Sequence, residues 1–241
     1  MTPISAEPNT TTSPKANLKA LSQVAASDFT RHINQSTSPN KEWVVAVGTR
    51  DGKKPKWEKI PHEHENGNTI TSYLLDGENI GNYLVNIKTN RVVAALDGGH
   101  FGTLNQYNHE SASYTWSPNS QWLVEHQDWK WHTDTCSAHY LNPKGKWWQS
   151  RVNLLTHAES IVDTWLKKNA PQLSAEVRSS YVIRAEVKTI TNDGTVTMKI
   201  SAEIPKAEES EYVDLTVSGK IAAKADGNLT FSATSIKSAE G

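Results

Sequence analysis

Ser38-Pro39-Asn40-Lys41-Glu42-Trp43-Val44-Val45 and Ser117-Pro118-Asn119-Ser120-Gln121-Trp122-Leu123-Val124 carry the same phrase, Ser-Pro-Asn-x-x-Trp-x-Val, at two places in the chain. Proline presets φ for the second turn position and Asn tolerates the third, so each copy reads as a tight turn leading into a strand. In the second copy Trp122, Val124 and His126 alternate with Leu123, Glu125 and Gln127, the period of a strand with two distinct faces. Tyr114 and Trp116 form a short strand that enters this turn, which makes the whole a hairpin. Matches this short also arise by chance, and the residues downstream of each copy decide for duplication.

After the first copy, two apolar runs within 82–96 flank a Lys88-Thr89-Asn90 turn. After the second, Ser137-Ala138-His139-Tyr140-Leu141 is followed by Asn142-Pro143-Lys144-Gly145 and then Lys146-Trp147-Trp148, which is again strand, turn, strand. Each unit therefore reads as four short antiparallel strands, the form of a propeller blade. With its preceding Trp116, the second copy resembles the Trp-Ser-Pro-Asp-Gly repeat of TolB-type β-propellers, and the pair at 83–96 looks like the outer hairpin of such a blade. In the first copy Thr37 stands in place of that Trp, and both copies carry Asn for Asp and lack the Gly. The resemblance covers roughly residues 28–154 and implies a blade without implying an activity. Closed propellers take typically four or more blades. Two units are legible, which allows an incomplete propeller, a two-sheet sandwich, or half of a homo-oligomer that closes across subunits.

Outside the units, 18–34 has an amphipathic stripe of Leu18, Leu21, Val24 and Ala25, but register with the second unit makes Phe29-Thr30-Arg31-His32 a strand. The favoured reading is a helix ending near Ala26 and then that strand. Residues 51–70 are charged and poorly patterned, an insertion within the first unit. Thr156-His157-Ala158-Glu159 has capping-box spacing, with Thr156 at the N-cap of a helix carrying Ile161, Val162, Trp165 and Leu166 on one face. Alternating strands follow at 181–190, 195–204, 212–225 and 229–235, joined by turns that include Asn192-Asp193-Gly194 and Asp226-Gly227-Asn228. The fold class is mainly β, α+β by content: 1–17 a disordered lead-in, 18–154 two blade-like units, and 155–241 a helix plus a four-stranded antiparallel meander.

At 241 residues the chain can bury about 70–75% of its unfolded surface, so a core needs neither disulfides nor a structural metal. A formal net charge of −1 gives no electrostatic footprint for nucleic acid and no polybasic membrane patch. No apolar run approaches the roughly 20 residues of a membrane span. The single cysteine, Cys136, excludes an internal disulfide. The first 17 residues are rich in Thr, Ser, Pro and Asn, a composition that cannot build a core. Met1 followed by such a tether is the form left once a secretion signal is removed, which points to a periplasmic or secreted protein; the alternative is a cytoplasmic protein with a floppy tail.

Chemistry-bearing residues are densest between His126 and His139. His132, Asp134 and Cys136 would share one face of an extended strand, with His139 following at Cys-x-x-His spacing, a ligand mix that zinc accepts. One strand face rarely builds a tetrahedral site, so His100, His109 or His126 would have to converge on it, and the competing reading is a set of ordinary polar residues on an exposed face. His62-Glu63-His64-Glu65 lacks the spacing of a helical zinc-protease motif. Asp97-Gly98-Gly99-His100-Phe101-Gly102 lacks the Lys and Ser/Thr of a phosphate loop and reads as a tight connection whose glycines answer to backbone conformation. Loops that join repeat units carry function, which makes His100 and His109 candidate ligand-binding residues. No Gly-x-Ser-x-Gly elbow is present. Cys136 beside a histidine could be a nucleophile pair, against the plainer reading of an inert buried thiol.

Of the nine tryptophans, Trp43, Trp116 and Trp122 belong to the repeated strands and are expected in the core. Trp129, Trp131 and Trp147 are candidate ligand-binding residues, since an exposed aromatic beside polar loops is a platform for a sugar or peptide. Adjacent Trp147 and Trp148 must face opposite sides of a strand. These readings favour a non-enzymatic binding or scaffolding protein for a protein or carbohydrate ligand, with no cofactor. The rival is a metal-dependent enzyme using His100, His109, His132, Asp134, Cys136 or His139.

Overall fold

The computed structural model describes residues 15–54, 58–63, 69–74, 80–99, 111–142, 144, 146–147, 151–204 and 212–238. Two short helices, α1 (Lys15–Leu21) and α2 (Ala26–Phe29), open the described chain. The first sheet contains β1 (Thr30–His32), β2 (Trp43–Thr49), β5 (Ile80–Asn86) and β6 (Arg91–Ala95) in that spatial order. Between β2 and β5 the insertion folds into its own hairpin of β3 (Glu58–Glu63) and β4 (Thr69–Leu74). The second sheet is β7 (Ser111–Trp116), β8 (Trp122–Trp129), β9 (His132–Tyr140) and β10 (Val152–Asn153), again in chain order. After helices α3 (Leu154–Asn169) and α4 (Ala175–Ser179), a third sheet repeats the plan with β11 (Val182–Ile190), β12 (Thr195–Glu203), β13 (Val213–Ala223) and β14 (Leu229–Ser238). The protein is thus mostly β, with two blade-like units, a long helix and a terminal four-stranded meander.

The repeated phrase forms the β1–β2 and β7–β8 turns, and their internal bonding coincides. Ser38 Oγ donates to Asn40 Oδ1 at 2.7 Å and accepts from Trp43 N–H at 3.0 Å. Ser117 Oγ does the same with Asn119 and Trp122 at 2.7 and 3.0 Å. The fourth residue is left-handed in both, Lys41 at φ 60° and Ser120 at φ 61°.

The β11–β12 turn of the third sheet uses a related scheme one residue shorter, in which Thr191 Oγ1 accepts from Thr195 N–H at 3.1 Å. Thr191 stands for Ser, Asp193 for Asn, and Gly194 takes the left-handed position at φ 82°. Thr195 N–H donates to Asp193 Oδ1 at 3.2 Å, as Glu42 and Gln121 do to their asparagines. The three turns lie side by side. Asn40 N–H donates to Ser120 Oγ at 3.1 Å, and Asn119 N–H donates to Asn192 Oδ1 at 2.8 Å.

Three apolar layers run through the molecule. Leu21, Ala26 and Phe29 of the N-terminal helices cover one face of the first sheet at Val44, Ala46, Tyr83 and Val85. Its other face, with Trp43, Val45, Val47 and Leu84, meets Leu123 and Trp147 of the second. Both faces of β2 are therefore covered, and all seven of its residues are buried. The largest layer joins Trp122, Val124, Cys136 and Ala138 to Leu154, Ala158, Val162 and Leu166 of α3 and to Met198, Ile200, Leu215, Val217 and Ile221 of the third sheet. The strict alternation of β12 and β13 leaves the far face of that sheet polar.

Two local expectations are corrected. Helix α3 begins three residues earlier than the capping-box spacing implies: Asn153 is the N-cap, its Oδ1 accepting from Thr156 N–H at 3.1 Å. The earlier start carries Leu154 into the core at 0% exposure, a gain no local cap offers. Helix α4, capped by Ser174, has no apolar stripe or buried residue and was not expected.

Candidate functional site

The antiparallel order places the connections at two ends. Short turns, the three Ser- and Thr-led ones among them, gather at one end. At the other lie the β2–β5 insertion, the link that leaves β6 through Asp97, the Trp129-Lys130-Trp131 turn of β8–β9, and the α3–α4 segment entering β11. Long connections on a rigid frame are where binding groups are usually carried.

Two sites can be built at this end. The first is a buried polar cluster between the first and second sheets. Glu125, fully buried on β8, accepts from Asp97 N–H at 2.8 Å and Gly98 N–H at 3.1 Å. His139 on β9 donates from Nε2 to Glu125 Oε1 at 2.8 Å. Next on the same face, Gln127 donates to Asn82 Oδ1 at 2.7 Å and accepts from Gly99 N–H at 3.3 Å. Ser137 Oγ donates to Asp97 Oδ2 at 2.8 Å, and Arg151 pairs with the same carboxylate. Burial, then the Glu125 charge beside it, raises the Asp97 carboxyl above its ordinary range. The same two causes raise Tyr114.

Glu125 and Gln127 hold the Asp97, Gly98 and Gly99 amides and Ser137 holds the Asp97 carboxylate, so the cluster works as a latch that fixes the crossing from the first sheet to the second. Gly98 is a glycine for lack of room: a Cβ there would lie 1.9 Å from Gln127 Nε2. Left-handed backbone is not the reason, as the sequence had implied.

The second site is a cleft of about 440 Å³ where β9, α3, α4 and β11 meet. Leu155, Val162, Tyr181, Val182 and Ile183 supply its apolar lining, and His132, Glu159, Asp163 and Arg178 its polar lining. Arg178 is held by Asp163 Oδ1 at 2.9 Å and by the Leu173 carbonyl at 2.6 Å. The Trp129-Lys130-Trp131 turn is tied to the cleft wall by Arg184, which donates to the Lys130 and Trp131 carbonyls at 2.7 and 3.1 Å. Trp129 is 42% exposed and Trp131 57% exposed, with Lys130 Nζ 5.0 Å from the Trp131 ring centre.

The structure disperses the four residues grouped as metal ligands. Opposite Gln127 stands Thr135, but opposite Asp128 stands Thr133, so Asp134 is the extra residue of a β-bulge. The bulge reverses the alternation, and Thr133 in place of Asp134 shares the buried face of Cys136. His132 and Asp134 are exposed. His139, three residues beyond Cys136, falls on the opposite face against Glu125. No group of three or more His, Cys, Asp or Glu side chains able to hold a metal occurs among the described residues.

Burial, foremost, pushes the Cys136 thiol up to about 12, which leaves no thiolate for nucleophilic chemistry at neutral pH. Trp147 is buried at 8% exposure between Trp43 and Trp116, edge-on to both. It belongs to the core. His100, His109, Trp148, His64 and Glu65 lie outside the described residues. The Glu125 latch was missed in the sequence because Glu125, Gln127 and His139 become neighbours only through strand pairing; the buried-face alternation of β8 was its one available signal.

No helix among the described residues is long and apolar enough to cross a membrane. No protein-family model matches the chain, and no curated protein matches it in sequence.

Proposed function

We propose that this is a non-catalytic binding or scaffolding protein, exported to the periplasm or secreted, whose TolB-type blade units present loops to a protein or carbohydrate ligand. The observation that carries the reading is the pair of exposed tryptophans, Trp129 and Trp131, at the end opposite the Ser- and Thr-led turns. Large aromatics are ordinarily buried, and two at the tip of a rigid hairpin supply contact area at little conformational cost. Arg184 ties the backbone of that tip through the Lys130 and Trp131 carbonyls, which lowers the cost of ordering the turn on binding.

The test is a paired binding screen of wild type and a Trp129→Ala/Trp131→Ala variant against immobilised oligosaccharides and peptides. The expected result is a ligand whose affinity falls at least about tenfold in the variant, with the unfolding midpoint unchanged. Ligand binding that ignores both tryptophans, or catalytic turnover dependent on an added metal ion, would overturn the reading.

A further inference from the structure

The edge of β11 gives the cleft a more specific chemistry. This strand is the first of its sheet and, among the described residues, pairs only with β12. Ala185 N–H points away from β12, because it donates to Thr133 Oγ1 on β9 at 2.9 Å. Backbone groups in a strand alternate sides with a period of two, and the β11–β12 register is regular from Val182 to Val187. The N–H and C=O of Ile183 therefore point to the same free edge, and Ile183 lines the cleft. A backbone donor and acceptor thus face a space whose lining is apolar at Leu155, Val162 and Val182 and carries Glu159 beside the Arg178–Asp163 ion pair.

From this we infer that the cleft takes an extended peptide segment of a partner protein. One residue of the segment pairs with Ile183 through its backbone and sets an aliphatic side chain among Leu155, Val162 and Val182. Strand addition at a sheet edge supplies affinity through main-chain bonds and selectivity through the pocket beneath alternate side chains. A saccharide lacks the alternating main-chain N–H and C=O groups that pair with a strand edge, although Tyr181 also lines the cleft. The inference rests on the binding-protein reading and narrows its ligand to a protein.

The probe is N-acetyl-leucine-N′-methylamide, titrated into ¹⁵N-labelled full-length protein and followed by amide chemical shifts. The Ile183 amide is expected to move and saturate, and the movement should vanish in Ala175→Trp, which fills the cleft from an exposed position on α4. Ser179→Trp, exposed on the same helix, serves if the first variant does not fold. An unmoved Ile183 amide would overturn the inference. So would a response that survives the blocking variant, one given equally by N-acetyl-glycine-N′-methylamide, or one given only by methyl β-glucoside. A screened ligand whose binding needs Trp131 and ignores Ala175→Trp would leave the broader reading standing and remove this one. An Ile183 response without any ligand that needs the tryptophans would do the reverse.

Discussion

On the face of the second sheet that meets the first, Glu125, Gln127 and His139 are buried in a mesh of hydrogen bonds to a passing chain. On the opposite face of the same strands, Trp122, Val124, Cys136 and Ala138 pack on α3 and the third sheet with apolar contact. The two interfaces differ in what they require. An apolar layer tolerates volume-conserving exchange and loses stability in proportion to what is removed. A buried polar mesh tolerates little, because each lost partner strands another group without water. The polar mesh therefore fixes one path for the chain, and the apolar layers supply most of the adhesion.

Glu125→Ala should have the largest effect. It leaves His139 and the Asp97 and Gly98 amides unpaired in the interior, and a loss of about 3–5 kcal/mol is expected in denaturant unfolding. Hydrogen exchange should show the Asp97-Gly98 amides opening first, with β12 and β13 still protected. Uniform loss of protection would mean that the interfaces act as one. Leu166→Ala, which opens a cavity in the apolar layer under α3, should cost about 2–5 kcal/mol and leave the Asp97-Gly98 amides protected. If that variant costs more than Glu125→Ala, the contrast between the interfaces is reversed.

The smallest effect is a pH dependence. The Asp97 carboxyl is raised in the folded protein, so folding favours its protonated form. Its stabilising contribution is complete below the ordinary carboxylate range and is lost as pH rises through the raised value. Asp97→Asn cannot titrate. Stability of wild type relative to this variant should therefore fall between about pH 4 and that raised value, on top of a constant offset from the changed Arg151 pairing. Urea midpoints of both proteins across this range test it, and parallel curves would show that Asp97 does not titrate abnormally.

Much of the fold was legible because its signals are local. The Ser-Pro-Asn turns, the alternation of β12 and β13, and the Gly194 and Gly227 turns each depend on residues a few positions apart. The relation of the third turn to the other two is not legible in the sequence because Thr191-Asn192-Asp193-Gly194 makes a similar, one-residue-shorter set of bonds with Thr for Ser and Asp for Asn. The proposed metal ligands depended on strict alternation, which the Asp134 bulge breaks. The start of α3 was misplaced because burial of Leu154 outweighs the choice of cap.

By itself the sequence determined the units: strands of period two, turns of Ser, Pro, Asn and Gly, and a helix with one apolar stripe. Backbone conformation responds to near neighbours, so these could be read along the chain. Only the tertiary structure decided which faces meet. It turned Glu125 and His139 toward each other, sent Trp147 inward while leaving Trp129 and Trp131 outside, and set Ile183 in the lining of a cleft. Strand pairing brings together residues far apart in sequence, and one bulge or register step changes the side on which each appears.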